Sequence, residues 1–239
     1  MMSKKTLARV SGFTYLILIL TGVFGLVYVP SAIIVWSSPD ITVANIKSSE
    51  FLFRLGILSQ IICFIAFIML PLFLYELLKS VGKTAATLMV VFALISIPIT
   101  FVNILNKINV LLLLSGVEYL NKIPQEQLHA QVMYLLASFN NGNMVSNIFW
   151  GAWLFPLGYL VFKSHFLPKI LGIFLMIGCF GYLVEFLARF LFSLTEIPWY
   201  VSMPSSIGEF GICLWLLVFG INEKKFMNND FSSRSTPAI

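Results

Sequence analysis

Charge is what this chain has least of. Only 10% of its 239 residues are Asp, Glu, Lys or Arg, against 59% hydrophobic, and the mean hydropathy is +0.94. Soluble domains carry roughly 25% charge, so an ordinary water-soluble fold is excluded. Long polar stretches are missing too, which leaves no room for an appended nucleotide-binding, DNA-binding or catalytic domain. Histidine occurs twice, at His129 and His165, with no HExxH pairing, so no zinc hydrolase of that type is encoded. The phosphate loop GxxxxGK[ST] is absent, which excludes a self-contained pump driven by nucleotide hydrolysis. Ser, His and Asp never cluster as a nucleophile and its base. The three cysteines, Cys63, Cys179 and Cys213, sit inside apolar runs without CxxC spacing, and are expected to pack as small hydrophobes rather than form a disulfide or metal site. No cofactor, metal or nucleic-acid partner is expected.

The chain does have apolar runs of about 20 residues, the length that crosses a bilayer. They cover about Val10 to Val29, Phe51 to Leu78, Thr84 to Leu105 or somewhat beyond, Gly142 to Phe162, Ile170 to Phe192 and Ser205 to Ile221. The first follows Lys4, Lys5 and Arg9 like a signal peptide, but it is too long and ends at Pro30 without a small-residue exit, so it reads as an uncleaved span. The runs do not alternate in polarity as barrel strands would, and a spanning chain must satisfy its backbone internally. The expected fold is an all-α membrane protein, a six-helix transmembrane bundle in a single domain over residues 1–222, with a short polar, disordered tail over 223–239. No internal repeat points to an inverted-repeat transporter.

The positive-inside rule sets the orientation. Ten Lys and Arg, among them Lys4, Lys5, Arg9, Lys163 and Lys169, fall on one set of ends and five on the other. Three acids accompany the ten and seven the five, so the net charge of +5 resolves into +7 inside and −2 outside. Both termini are therefore expected in the cytoplasm. The inner loops near Ser80 to Lys83 and Lys163 to Lys169 read as tight turns. Ser38-Pro39-Asp40 in an outer loop is a helix-start signal, and Pro124-Gln125-Glu126 is a second. The second helix either runs directly into the fourth span or bends at Asn140-Asn141-Gly142-Asn143. His129 is placed in an outer loop.

Phe149-Trp150-Gly151-Ala152-Trp153-Leu154-Phe155-Pro156-Leu157-Gly158-Tyr159-Leu160, followed by Lys163-Ser164-His165-Phe166-Leu167-Pro168-Lys169-Ile170-Leu171-Gly172, resembles the signature of a bacterial integral-membrane family, domain of unknown function 4386. Gly12, Tyr15 and Leu16, Leu52-Phe53-Arg54-Leu55-Gly56, and Leu214-Trp215-Leu216-Leu217 are similar to it too. The resemblance covers nearly the whole chain and implies a six-helix protein of the bacterial cytoplasmic (inner) membrane. It brings no substrate, cofactor or catalytic residue with it. Physically, Pro156 should bend its helix, and Gly151 and Gly158, two turns apart on one face, should let a neighbouring helix approach closely.

Ionisable groups inside spans are costly and therefore informative. Counting about 1.5 Å per residue from the inner lysines, Asn147, Glu185 and Glu209 stand about 22–24 Å up, Asn103 and Arg189 about 30 Å, with Gln60 between them and Arg54 near the outer rim. Glu185 and Arg189 can pair at i, i+4. Glu209 has no partner within its helix, and Arg54, Arg189 or Lys107 is its natural complement. Asn103, Asn106 and Lys107 form a polar patch, and the fourth span is rich in amides. The inner half is nearly all apolar. These groups are expected to converge on an outward-facing polar pocket built around Arg54, Asn103, Asn147, Glu185, Arg189 and Glu209, unless they only hold helices together, each bond then being worth about 0.6 kcal/mol.

Of the aromatic residues, Tyr28, Trp36, Tyr119, Tyr134, Trp199 and Tyr200 fall at outer ends and Tyr75 and Tyr159 toward inner ends, as interfacial anchors do. The expected function is to bind, and beyond that to move or sense, a small amphipathic or lipid-like molecule from the bilayer. The rival readings are a non-catalytic membrane subunit that packs against a partner protein or another copy of itself, and a small intramembrane enzyme, the least favoured.

Overall fold

Pro39 has no N–H to leave unpaired, and Ser38 before it accepts a hydrogen bond from the Ile41 N–H at 3.4 Å, so a helix starts there. The same rules operate along the whole chain. The computed structural model describes residues 3–120, 122–192, 194, 196–221 and 226, and among these there is no strand. The helices are α1 (Lys4–Gly22), α2 (Val29–Ile33), α3 (Pro39–Ser48), α4 (Glu50–Leu78), α5 (Lys83–Leu113), α6 (Gln125–Ala152), α7 (Leu154–Lys163), α8 (Lys169–Phe192) and α9 (Met203–Val218). Lys4–Ile33, Glu50–Leu78, Lys83–Leu113, Gln125–Lys163 and Lys169–Phe192 are each long and apolar enough to cross a membrane. At 16 residues, α9 is apolar but shorter.

Proline places the irregularities. Between α1 and α2 the helix widens to a π segment, Val23–Tyr28, just before Pro30. Pro30 cannot donate to the preceding turn and its ring crowds it, and a π ring absorbs that misfit. Pro156 likewise leaves the carbonyl four residues back without its usual donor, and the helix breaks at Trp153, between α6 and α7, as its position in the sequence implies.

Asn140-Asn141-Gly142-Asn143 does not break its helix. From Gln125, α6 runs without interruption to Ala152. His129 is therefore in the second turn of α6 rather than in a loop, and is only 5% exposed. α5 likewise continues past Leu105 to Leu113. The stretch 223–239 lies outside the described residues except for Phe226, whose ring packs edge-on against Phe166 with centroids 5.2 Å apart.

The chain groups into two compact units. One comprises Met1–Leu16, Ala66–Ser96 and Val145–Ile239. Its core is a set of helices brought together at small residues. Gly158 of α7 and Gly172 of α8 face each other so closely that a Cβ on either would stand 2.6 Å from the other's carbonyl oxygen. Gly12 of α1 abuts the Leu217 backbone of α9, and the Cys213 thiol donates to the Gly12 carbonyl at 3.5 Å. Such contacts replace the hydrophobic effect that lipid cannot supply.

The other unit comprises Ile17–Ile65 and Ile97–Met144. Here α4 lies against the π segment, where a Cβ on Gly25 would stand 2.8 Å from the Gly56 carbonyl. Gln60 donates its amide N–H to the Gly25 carbonyl at 2.5 Å, Ser59 donates to Thr21 O at 2.9 Å, and the Cys63 thiol donates to Leu18 O at 3.4 Å. Helix α3 is tied down by Asn45, which donates to Ile33 O at 3.0 Å, and by Asp40 against His129 Nδ1 at 2.5 Å.

The Gly158–Gly172 contact has a measurable consequence. Gly158→Leu or Gly172→Leu forces backbone against backbone and should destabilise the folded protein by about 1–3 kcal/mol, lowering its melting temperature in detergent. Gly82→Ala, whose Cβ would meet Leu160 at an ordinary 3.5 Å, should leave that temperature nearly unchanged.

Candidate functional site: a carboxyl between tyrosines and a buried lysine among amides

Glu209 stands on the second turn of α9, half-buried. Its Oε2 accepts a hydrogen bond from the Tyr15 hydroxyl of α1 at 3.0 Å, and the phenol of Tyr182 on α8 lies close enough to act on the same carboxyl. Tyr15 is wholly buried, and its ring is held by Trp153, 6.2 Å away, which in turn packs edge-on against Phe67 at 5.0 Å. Tyr182 lies where α6 has Gly151: a Cβ there would stand 2.6 Å from Tyr182 Cβ. The side chain of Ser205 neighbours the same phenol. Among the described residues no Lys, Arg or His pairs with Glu209, where the sequence pointed to arginine or lysine as its complement.

One turn along α8, Glu185 is close enough to act electrostatically on the Tyr182 hydroxyl. It accepts from Arg189 Nε at 3.1 Å, the i, i+4 pair expected from the sequence. Asn147 is one turn before Gly151 on the face of α6 that meets Tyr182, half-buried. Glu185, Arg189, Glu209 and Asn147 thus all belong to one unit, with Tyr182 close to both the first and the third.

Arg54 and Asn103 belong to the other unit. Arg54 is exposed and bound to Glu50 on its own helix at 2.6 Å. Asn103 is buried: it donates to Phe139 O at 2.8 Å and to Asn143 Oδ1 at 3.1 Å, and accepts from Asn106 Nδ2 at 3.0 Å. Gly142 makes this possible, since a Cβ at that position would overlap the Asn103 amide. Its role is clearance for a side chain rather than a bend in the helix.

Lys107, one turn from Asn103, is only 3% exposed, and its Nζ lies 4.0 Å from the centroid of the Phe139 ring. No carboxylate pairs with it among the described residues. Taking an ammonium out of water costs several kcal/mol, and a ring face returns about 0.5–2 kcal/mol. The ring alone therefore does not balance the charge.

Six of the eight tyrosines fall at the span ends; Tyr15 and Tyr182 are the two that do not, and both reach Glu209. That displacement from the interfacial belts is the sequence signal for the clamp. Among the described residues no three His, Cys, Asp or Glu side chains gather as a metal site. All three cysteines are buried.

Removing either hydroxyl should loosen the clamp. Tyr15→Phe and Tyr182→Phe should each lower stability by roughly 0.6 kcal/mol, and at most about 1.7, and each should shift the infrared carboxyl band that Glu209→Gln abolishes. An unshifted band in both variants would mean that the phenols do not hold the carboxyl.

Comparison with known proteins places the chain without supplying an activity. An uncharacterised protein of Archaeoglobus fulgidus is 40% identical over 73 residues, which is 30% of this chain and 43% of that protein, so the chain matches less than half the length of this relative. No solved structure matches the chain. The sequence model of the family described as a domain of unknown function, DUF4386, matches residues 10–220. With its paired-glycine hairpin and its helices long and apolar enough to span a bilayer, the chain belongs to this family.

Proposed function

We propose that the protein binds the polar head of a small amphipathic or lipid-like molecule at Glu209, with Glu185, Arg189 and Asn147 as further contacts, and that transport or sensing of that molecule follows from binding. The observation that carries this reading is the carboxyl itself: Glu209 accepts from the Tyr15 hydroxyl, has the Tyr182 phenol beside it, and pairs with no cation among the described residues. A structural carboxylate in a bundle is ordinarily paired, whereas one oriented by a hydroxyl has no countercharge and keeps oxygen lone pairs for a donor-bearing head group. Tyr15, Trp153 and Phe67 are the aromatic surroundings that favour an amine or ammonium among such heads. Arg54 and Asn103 enter the proposal as polar groups of their own unit.

The same reading takes α9 as a sixth span, completing an even number of crossings. It puts both termini on the cytoplasmic side of a bacterial inner membrane, in keeping with the charge distribution of +7 and −2. Reporter fusions after α9 and within the loop between α8 and α9 should then report cytoplasm and exterior respectively. The opposite pattern would reverse the orientation.

Mass spectrometry of lipids and metabolites retained after mild detergent purification tests the binding itself. The wild-type protein should retain one dominant small amphiphile, and its re-addition should raise the melting temperature. Glu209→Gln should insert and fold yet lose that molecule by about tenfold or more, the equivalent of one charge-assisted contact. A wild-type bundle that comes out empty and responds to nothing across a broad amphiphile panel would sink the reading.

A further inference from the structure

The second unit holds a charge that the Glu209 reading does not use. Lys107 on α5 is almost completely buried, no carboxylate meets it among the described residues, and its ammonium rests on the face of Phe139 of α6. Beside it, the amides are arranged asymmetrically. The nitrogen of Asn103 is fully engaged, by Phe139 O and by Asn143 Oδ1, and its oxygen accepts from Asn106. The Asn143 amide nitrogen takes no part in these bonds. What is left over on this stretch of the α5–α6 seam is two donors, the Lys107 ammonium over the Phe139 ring and the amide nitrogen of Asn143, one turn from Phe139 on α6.

We infer that Lys107 and Asn143 form a binding site for an oxyanion, a carboxylate or a phosphate. The chemistry is complementary: an ammonium and an amide N–H together satisfy the lone pairs of one anionic oxygen pair through charge-assisted hydrogen bonds, and the anion supplies the counter-charge that no described residue does. Phe139 keeps the ammonium oriented from the opposite side. Farther along the same seam, Leu113 at the end of α5, Leu114 just beyond it, Leu128 and His129 of α6, and Lys47 line a cavity of about 330 Å³. Leu113 is six residues beyond Lys107, a rise of about 9 Å along the helix. Lys47, Gln125 and His129 line that cavity beside its leucines, and the two donors suit an anion with an attached hydrocarbon chain and a free anion entering from water alike. Lys107 and Asn143 belong to a different unit from Glu209, and the inference does not depend on what Glu209 binds.

Thermal unfolding of the purified full chain in a neutral detergent tests this, with oleate and lysophosphatidate as chain-bearing anions, oleyl alcohol as the uncharged chain, and sodium acetate and phosphate as free anions. Wild type and Lys83→Met, an exposed control on the same helix, should be stabilised by the anions and not by the alcohol. Lys107→Met should weaken the response by about tenfold or more, the loss of one charge-assisted bond, and Lys107→Arg should retain part of it. A response confined to oleate and lysophosphatidate identifies a lipid head. An equal response to acetate or phosphate identifies a free anion, and either result supports the site. Without ligand, Lys107→Met should melt no lower than wild type, because it removes an unpaired buried charge; Lys107→Gln gives the same comparison while keeping a polar tip. The inference is overturned if Lys107→Met or Lys107→Gln responds like wild type, if the alcohol works as well as the anions, if no anion stabilises the wild type, or if both variants melt well below it in the absence of ligand.

Discussion

A polar group inside a bilayer has no water to turn to, and that constraint organises most of what is particular about this protein. It forces the backbone into helices, and wherever a helix loosens it demands a substitute partner. The π segment before Pro30 is an example. The widened turns bring the Gly25 carbonyl into reach of a neighbour, and Gln60 of α4 donates to it. The close approach needed for that bond is available only because Gly25 and Gly56 carry no side chains. Proline, glycine and glutamine at three separate places in the chain thus solve one problem.

The same constraint explains how the two acidic positions on α8 and α9 differ. Glu185 pairs with an arginine one turn away and is structurally complete. Glu209 is met only by hydroxyls. A hydroxyl orients a carboxyl without supplying a countercharge, so Glu209 lacks the ion pair that Glu185 has. Lys107 is the reciprocal case in the other unit, a cation met by an aromatic face and by amides that are mostly engaged with one another. Groups of either sign withdrawn from water and paired with no countercharge among the described residues are costly to keep, which is the physical reason to look for function at both.

Much of the architecture was legible in the sequence because it depends on local rules. Ser38-Pro39-Asp40 starts α3 and Pro124-Gln125-Glu126 starts α6, since capping and the missing proline N–H act within one turn. The break before Pro156 and the close packing of Gly158 follow from the same short-range reasoning. Gly142 shows where such reasoning stops. Glycine flanked by asparagines reads as a break by propensity, yet α6 passes straight through, because the glycine is needed to admit Asn103 from another helix. His129 was displaced from its expected loop for a related reason: its partner Asp40 lies 89 residues away and nothing local announces it.

By itself the sequence determined that the chain is helical and built for a membrane, where most helices begin, how charge divides between the two sets of ends, and that Glu185 and Arg189 pair. Each of these depends on composition or on neighbours within one or two turns. Only the tertiary structure decided that Glu209 meets Tyr15, 194 residues away, rather than an arginine, that Lys107 faces a ring rather than a carboxylate, and that Gly142 serves Asn103. Hydropathy periodicity records which face of a helix is apolar, but it carries no information about which other helix lies against that face. In a bundle with so little charge, the identity of that neighbour decides whether a buried polar group is neutralised or left available to bind.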